Sequence, residues 1–434
     1  MLVLNPCFRG RSQLAFWIVA SFAFYYWGET RIWILFYYIF LNYGYGRFFG
    51  KLIQRVWLTS GVILNLLPLF YFKYQGLFRE VDVGSLPLGL SFFGFQGISY
   101  LVDIKRKACA VEKSLLRYTF FKSFFPPLLA GPIFRYSEIA GHFENFGQTS
   151  VDAIEGLQRF IRGLAKKVLI ADTLSTLVDL GFSNSSALSF GWAWWVLFTF
   201  SLQIYFDFSG YSDMAIGIAQ YFNIKIPENF LQPYRAHSVT EFWQRWHCTL
   251  TKWLRDYVYY PAGGNRRGPA REYFNKVMVF LLCGLWHGGT WMFAVWGLWH
   301  GGLLILESAV KKMNWNFSDR IGILVGRTYV FILVSFSWIF FRSVSWADSM
   351  ILMKGALGFA STSIEVRDLV PLYHYLNPFF GFVFLSGFVL AWGLYPTRWR
   401  ALALKSFGLH LVLLAVSFVF LIGASYKPFI YFRF

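Results

Sequence analysis

Charge is what this chain has least of for its size. Only 14% of its 434 residues are Asp, Glu, Lys or Arg, against 56% that are hydrophobic and 22% that are aromatic. A soluble domain carries roughly 25% charged residues, because its surface must be wet. So few charges cannot clothe a water-facing globule of this length, and a lipid-facing exterior is the simplest account of the missing polar surface. Cysteine is scarce as well. Cys7, Cys109, Cys248 and Cys283 stand apart with no CxxC pair, which supports neither a disulfide framework nor a zinc site. The histidines are too dispersed to assign a metal site. Walker loops, dinucleotide fingerprints, GxSxG and HExxH are all missing. No small-residue cleavage site follows the first apolar run, Leu14 to Trp27, so that run reads as a retained span and not as a removed signal peptide.

The charge that is present is one-sided: 40 Lys and Arg against 22 Asp and Glu, a net +18. The basic residues come in small groups between apolar runs. These are Arg9 and Arg11; Arg47, Lys51 and Arg55; Lys105, Arg106 and Lys107; Lys166 and Lys167; Arg266, Arg267 and Arg271; Lys311 and Lys312. Such placement suits loops held by anionic headgroups and oriented by the positive-inside bias, not a nucleic-acid partner.

A membrane-spanning helix needs about 20 mostly apolar residues, because hydrocarbon satisfies no backbone polar group. Candidate spans lie near 14–28, 31–46, 57–74, 86–103, 190–207, 276–297, 297–310, 324–341, 376–395 and 407–425. The expectation is an all-α, multi-pass transmembrane bundle of about ten spans, forming one integral membrane domain over 1–434. Between the spans, Phe124 to Pro132 holds three prolines and a glycine in an apolar setting. It reads either as a re-entrant element lining a pocket or as a loop at the interface. Two stretches look amphipathic. Val151 to Leu169 sets Ile154, Leu157, Ile161, Leu164 and Val168 opposite Arg159, Arg162, Lys166 and Lys167. Thr240 to Tyr257 gathers Trp243, Trp246, Leu250, Trp253 and Leu254 on one side. Both are expected to rest in the headgroup zone.

Ionisable residues inside apolar segments are costly and therefore mark candidate sites. His287, in Leu285-Trp286-His287-Gly288-Gly289, sits near the middle of the run from Val277 to Trp299. An imidazole can exchange a proton near neutral pH, which as general-base help is worth roughly 10²–10⁴-fold. The bland alternative is a core histidine bonded to a carbonyl. A second Trp-His-Gly-Gly ends in Gly302, with His300 as its histidine. On one continuous helix the two rings would lie about 20 Å apart along the axis and about 220° around it, so only one could act on a given atom. His247, in Glu241-Phe242-Trp243-Gln244-Arg245-Trp246-His247, is either a proton-transfer group or an anchor at the lipid surface. Asp207, in the run Gln203 to Asp213, must be paired or neutralised. It could orient a catalytic histidine, fix a helix end through Ser209 or neutralise an arginine, and a structural hydrogen-bond role is favoured. The loop Gly263-Gly264-Asn265-Arg266-Arg267-Gly268 could accept phosphate or serve as a positive-inside anchor.

In order, Gly131-Pro132-Ile133-Phe134-Arg135, Gln203 to Gly217, Asn229-Phe230 with Gln232-Pro233-Tyr234, Glu241 to His247, Trp253 to Tyr257, Tyr260 to Arg266 and Gly284 to Gly288 form a set of motifs. Together with the ending Pro428 to Phe434, this set resembles the membrane-bound O-acyltransferase family, in its bacterial alginate O-acetyltransferase branch. The likeness is strong from about 88 to 300. It implies a helical bundle around a central tunnel, with its two marked histidines at His287 and His247. It further implies transfer of acetyl from acetyl-CoA or another acyl thioester towards hydroxyls of an extracytoplasmic polysaccharide or peptidoglycan. An extracytoplasmic SGNH-hydrolase-like acetyltransferase would be its partner, the bacterial cytoplasmic (inner) membrane its place, and no cofactor would be bound permanently. A related teichoic-acid D-alanylation protein draws on a carrier-protein thioester instead. The family usually has one further apolar segment ahead of the first one here.

The expected roles are His287 as general base and His247 as a positioning or proton-transfer group. Asp207, Gln203, Trp286 and Arg245 are expected to support the pocket, with Asn265 and Arg266 towards the donor. The rivals are a transporter or flippase for a lipid-linked or small substrate, since such proteins also carry broken apolar segments, and a structural scaffold of an envelope complex.

Overall fold

A backbone buried in hydrocarbon or apolar protein must satisfy its own hydrogen bonds, and a chain this apolar does so as helix. The computed structural model describes residues 10–49, 54–77, 86–143, 152–311, 320–359, 373–423 and 427–430, and among them there is no β-strand. Cys7, Arg9, Lys51, Val151, Lys312 and the last four residues of the ending lie outside the described residues. The helices are α1 (Arg11–Gly28), α2 (Trp33–Arg47), α3 (Gln54–Lys73), α4 (Leu90–Lys105), α5 (Leu115–Ser123), α6 (Tyr136–Ile139), α7 (Ala153–Ala165), α8 (Asp172–Ser183) and α9 (Phe190–Tyr221). They continue with α10 (Val239–Arg245), α11 (Cys248–Leu254), α12 (Pro269–His287), α13 (Trp291–Lys311), α14 (Arg320–Arg342), α15 (Trp346–Ala356), α16 (Pro378–Trp392), α17 (Thr397–Lys405) and α18 (Phe407–Gly423). Nine of the ten apolar stretches fall mainly on one helix each, and the one at 276–297 straddles a break. Among the described residues, three helical stretches, Gln54–Lys73, Trp291–Val310 and Ile321–Arg342, are long and apolar enough to cross a membrane alone, while α16 and α17, bent by 103°, qualify only together, as a broken span or a re-entrant loop.

Two expectations fail at helix breaks. The spans placed at 276–297 and 297–310 divide instead at Gly288–Thr290, where α12 ends in an extended Gly288 and α13 begins at Trp291. Gly-Gly-Thr has too little helix propensity to carry the helix through. The amphipathic stretch from Thr240 to Tyr257 is not one helix resting in headgroups. It kinks at His247 into α10 and α11, and Trp243, Trp246, Leu250, Trp253 and Leu254 are all buried in protein.

Contacts gather the chain into two compact units, one of residues 1–160, 212–229 and 434, the other of 161–211 and 230–433. In the first, α2, α3 and α4 meet around a reciprocal amide pair, Asn42 and Asn65, each donating its Nδ2 to the other's Oδ1 at 2.9 Å. Gly97 of α4 leaves room for that pair, since a Cβ there would strike both amides. The segment from Phe124 to Pro132 is irregular and mostly buried. It is therefore protein-enclosed, as irregular backbone in an apolar setting has to be. At Arg159, the guanidinium pairs with Asp213 at 2.9 Å and with Glu228 at 2.5 Å.

The second unit is organised by the α12–α13 hairpin. Small residues let two helices approach backbone to backbone, and here glycine does so at three levels. A Cβ on Gly284 would collide with the carbonyl oxygen of Phe293, one on Gly297 with that of Phe280, and one on Gly301 would come within 3.1 Å of Val277 Cα. Gly302 beside them faces open space. Gly297→Ala is therefore expected to lower the thermal midpoint of the detergent-solubilised protein markedly. Backbone has to move, at a cost of about 1–3 kcal/mol or more. Gly302→Ala should leave the midpoint unchanged. Equal midpoints for the two variants would refute close packing at Gly297.

Candidate active site

His287 is the last residue of α12, and the break after it turns the chain back so that α13 runs alongside. His247 stands at the junction of α10 and α11 with φ 43° and ψ 51°. That left-handed conformation is uncommon for a residue with a Cβ, although histidine adopts it more readily than most. The kink turns the ring inward, and His247 is fully buried. An anchor at the lipid surface is thereby excluded. The two rings that the motifs singled out come together, their centroids 6.4 Å apart.

Aromatic side chains wall the pair. Trp286 lies 5.7 Å from His247 and 4.9 Å from His287, and so touches both. Phe208 of α9 meets His247 edge to face at 4.8 Å, and Phe230 stacks beside it at 6.4 Å. On the other side Trp296 and Phe341 approach His287 at 5.2 and 5.3 Å. Burial alone pushes the His247 imidazole down to about 3, so it is neutral at physiological pH. The arrangement brings two buried imidazoles together among aromatic rings, where water has little access. In such a setting a proton moves between a few fixed groups, and any charge that develops is felt strongly.

His300 belongs to this region but does different work. Its distance from His287 cannot be reckoned along one helix, because the two lie on antiparallel partners, and Trp296 bridges them at 5.2 and 5.0 Å. Trp243 Nε1 donates to His300 Nδ1 at 3.3 Å, and His300 Nε2 lies 3.1 Å from Ser337 Oγ. Ser337 Oγ in turn donates to the Val334 carbonyl at 2.7 Å. An indole N–H can only donate, so Nδ1 must accept and Nε2 must carry the proton. The ring is a neutral bridge tying α10, which leads into His247, to α13 and α14.

Asp207 takes a lysine as its ionic partner, which the sequence reading did not name. Lys167 Nζ donates to Asp207 Oδ1 at 2.7 Å and to the Pro428 carbonyl at 3.3 Å, and pairs with Asp172 at 2.7 Å. Ile430 N donates to Asp207 Oδ2 at 2.8 Å. The carboxylate thus ties the tail to α9 one residue before Phe208, which reaches His247. Gln203, one turn earlier on α9, is also buried. Arg245 turns away from the rings: it donates to Glu241 Oε1 at 2.8 Å and to the Leu231 carbonyl at 3.0 Å. Asn265 and Arg266 are exposed, in a turn whose glycines 263, 264 and 268 have φ of 105°, 58° and 87°. Asn275 Nδ2 pins that turn through the Gly264 carbonyl at 2.8 Å. Phe208 and Phe230 lie within the quoted motifs without having been given a role, and Trp296 and Phe341 were not singled out from the sequence. Nothing local distinguishes them among 51 phenylalanines and 19 tryptophans. Among the described residues no group of His, Cys, Asp and Glu is placed to hold a metal ion.

The profile of MBOAT, the membrane-bound O-acyltransferase family, matches residues 12–346. The chain is 38% identical to a protein of Pseudomonas syringae named "probable alginate O-acetylase AlgI", over 75% of this chain and 66% of that one. A protein of the same name from Pseudomonas putida is 34% identical, over 96% of this chain and 93% of that one. The peptidoglycan O-acetyltransferase of Helicobacter pylori is 34% identical, over 72% and 66%. The matched stretch thus spans about two thirds of the length of two of these three relatives.

Two outcomes follow from the geometry. Because His247 moves from 6.5 to about 3 on folding, the folded protein binds fewer protons than the unfolded chain between those values. The stability held by the neutral ring is complete above about pH 6.5 and drains away as pH falls towards 3, on the order of 2 kcal/mol at pH 5. His247→Gln should flatten the acid limb of the thermal midpoint plotted against pH, and an unchanged limb would contradict the burial of that ring. For His300, leucine strands the Trp243 indole N–H, at about 1–3 kcal/mol, while Ser337 keeps its bond to the Val334 carbonyl. Glutamine can still accept at one end and donate at the other. His300→Leu should lose midpoint and His300→Gln recover most of it, and no difference between the two would dismiss the bridge.

Proposed function

The chain belongs to the membrane-bound O-acyltransferase family, and from that premise we propose that it moves acetyl from an acyl thioester, such as acetyl-CoA, towards hydroxyls of an extracytoplasmic polysaccharide or peptidoglycan. The observation that carries the reading is the meeting of His247 and His287 within one aromatic-walled, buried volume. Alginate and peptidoglycan acetylation in the relatives' names supply the acceptor class. The proposal includes a ten-span bundle in the bacterial cytoplasmic membrane with a tunnel to this volume. It also includes an extracytoplasmic SGNH-hydrolase-like partner that completes delivery.

His287 would take the proton of the attacking hydroxyl. The oxygen adds to the thioester carbonyl, the carbon–sulfur bond breaks, and the proton passes to the departing thiolate, which leaves His287 neutral again. His247, neutral and less basic through burial, is suited to orient the acceptor or donate a hydrogen bond to the carbonyl oxygen as it gains charge. The aromatic wall favours a small acyl group. Trp286, Trp296 and Phe341 crowd His287, and a two-carbon chain asks the least room of them.

Acetyl esters on envelope polysaccharide and peptidoglycan, measured by mass analysis with and without the gene, test the activity and its acceptor. His287→Ala should give a folded, membrane-inserted protein whose acetyl transfer has fallen about 10²–10⁴-fold or more. Wild-type acetylation in that variant would remove His287 from the mechanism.

A further inference from the structure

Beside α10, a guanidinium from the first turns of α14 meets two others and one carboxylate. Arg327 lies within electrostatic reach of Arg235 and Arg245, both of which repel it, and of Glu241, which attracts it. Glu241 is already engaged. Arg245 holds its Oε1 at 2.7 Å and His237 holds its Oε2 at 2.6 Å. Burial works to raise its pKa, but the His237 N–H and the Arg245 guanidinium outweigh that and keep the carboxyl below its ordinary range. Glu307, the other acid near α10, is taken by the backbone N–H groups of Val239 and Thr240 and by the Thr240 hydroxyl.

The other two arginines are held in place. Arg235 donates Nη1 to Gln232 Oε1 at 2.9 Å, and Gln232 donates to Tyr395 Oη at 2.9 Å. The Arg235 stem runs over Gly393, where a Cβ would come within 3.0 Å of its Cδ. Gly326 packs against the His237 backbone, where a Cβ would come within 2.7 Å of its carbonyl oxygen, and that contact fixes Arg327 beside the cluster. Yet Arg327 Nε is buried and has no hydrogen-bond partner among the described residues. Arg327 thus faces two other cations and a carboxylate that Arg245 and His237 already hold, and its buried Nε–H is left unmet. Both are costly unless an anion completes the site.

The surroundings say what kind of anion. Arg327 lies about 10 Å along α14 from its first residue, within reach of the headgroup layer for a long side chain. Leu324, one turn earlier on the same side of the helix, is exposed, as is Leu231 beside the loop to Arg235. Planar guanidinium forks match phosphate oxygens better than any other biological anion except carboxylate. We infer that Arg235, Arg245 and Arg327 form a binding site for a phosphate group, carried by an anionic phospholipid whose chains lie along the exposed apolar side of α14.

Titration of the full chain in mild detergent with phosphatidylglycerol, against phosphatidylcholine as the zwitterionic comparison, tests this, with bound lipid counted by native mass spectrometry. The wild type should retain one phosphatidylglycerol in preference to phosphatidylcholine. Arg327→Gln should weaken that retention about tenfold or more, as expected when one charge-assisted contact is lost. Arg327→Lys, which keeps the charge but not the fork, should fall between, and it decides the matter should the glutamine variant fail to fold. Lys354→Gln, at an exposed lysine of α15, should change nothing. Equal binding of the two lipids overturns the site, and so does retention unaffected by either Arg327 change or lost equally in Lys354→Gln. Full displacement of phosphatidylglycerol by inorganic phosphate would assign the arginines to free phosphate and overturn the lipid.

Discussion

Everything in the second unit depends on how closely α13 can lie against α12. Van der Waals packing between helices of apolar sequence has little hydrophobic drive when the alternative surroundings are equally apolar, so closeness has to come from shape. Glycine at 284, 297 and 301 removes the side chains that would hold the backbones apart. The reversal at Gly288–Thr290 then brings Trp296 across to His287 and sets His300 on the far side of that same indole. One hairpin thus fixes a histidine, its aromatic wall and the bridge that positions the opposite element.

The opposite element is shaped by backbone strain. A histidine in the left-handed region persists only where its surroundings hold it, at a cost on the order of 1–3 kcal/mol. Here α10 is gripped at its start by Glu307 and Ser238, and in its middle by Trp243 bonding to His300. At its far end Trp246 is buried against Phe230, Phe242 and Trp338. With both flanks fixed, the junction has little freedom, and the ring of His247 is delivered towards His287. Strain at a site that two independently packed elements must share is what preorganisation looks like in backbone terms.

The helical class was legible in the sequence, as were the two histidines whose rings meet, because both stand out by local chemistry. Too few charges for a wet surface dictates helix in an apolar setting, and imidazoles in apolar runs stand out at once. What stayed hidden was whatever depends on a break or on a partner from far along the chain. Gly288-Gly289 reads equally as a close-packing feature of a continuous helix and as its end, and taking the first reading misplaced two spans and separated His300 from His287 by a distance that does not apply. The kink at His247 leaves no mark, since Arg-Trp-His-Cys-Thr has ordinary helical composition. Asp207 needs a partner by its setting alone, but that partner, Lys167, reads in sequence as one of the basic residues opposite the apolar side of an amphipathic helix. Arg245 adjoins His247 in sequence by two residues, yet it bonds to Glu241 and Leu231 because helical periodicity turns it to another side.

The division between charged and neutral groups carries the functional argument one step further. Asp207 is paired with Lys167, Asp213 and Glu228 with Arg159, and Glu241 with Arg245. Carboxylates in these pairs are committed to holding elements together, and a committed carboxylate is a poor general base, because protonating it would break the pair that holds it. The imidazoles at 247 and 287 are approached by aromatic rings, which offer them polarisable faces. A neutral base in a dry site can accept a proton only when a compensating negative charge forms nearby at the same moment. That condition is met when an alkoxide adds to a carbonyl, and it is not met by idle proton exchange with solvent. The addition at an uncharged acyl group proposed above would meet that condition at such a pair.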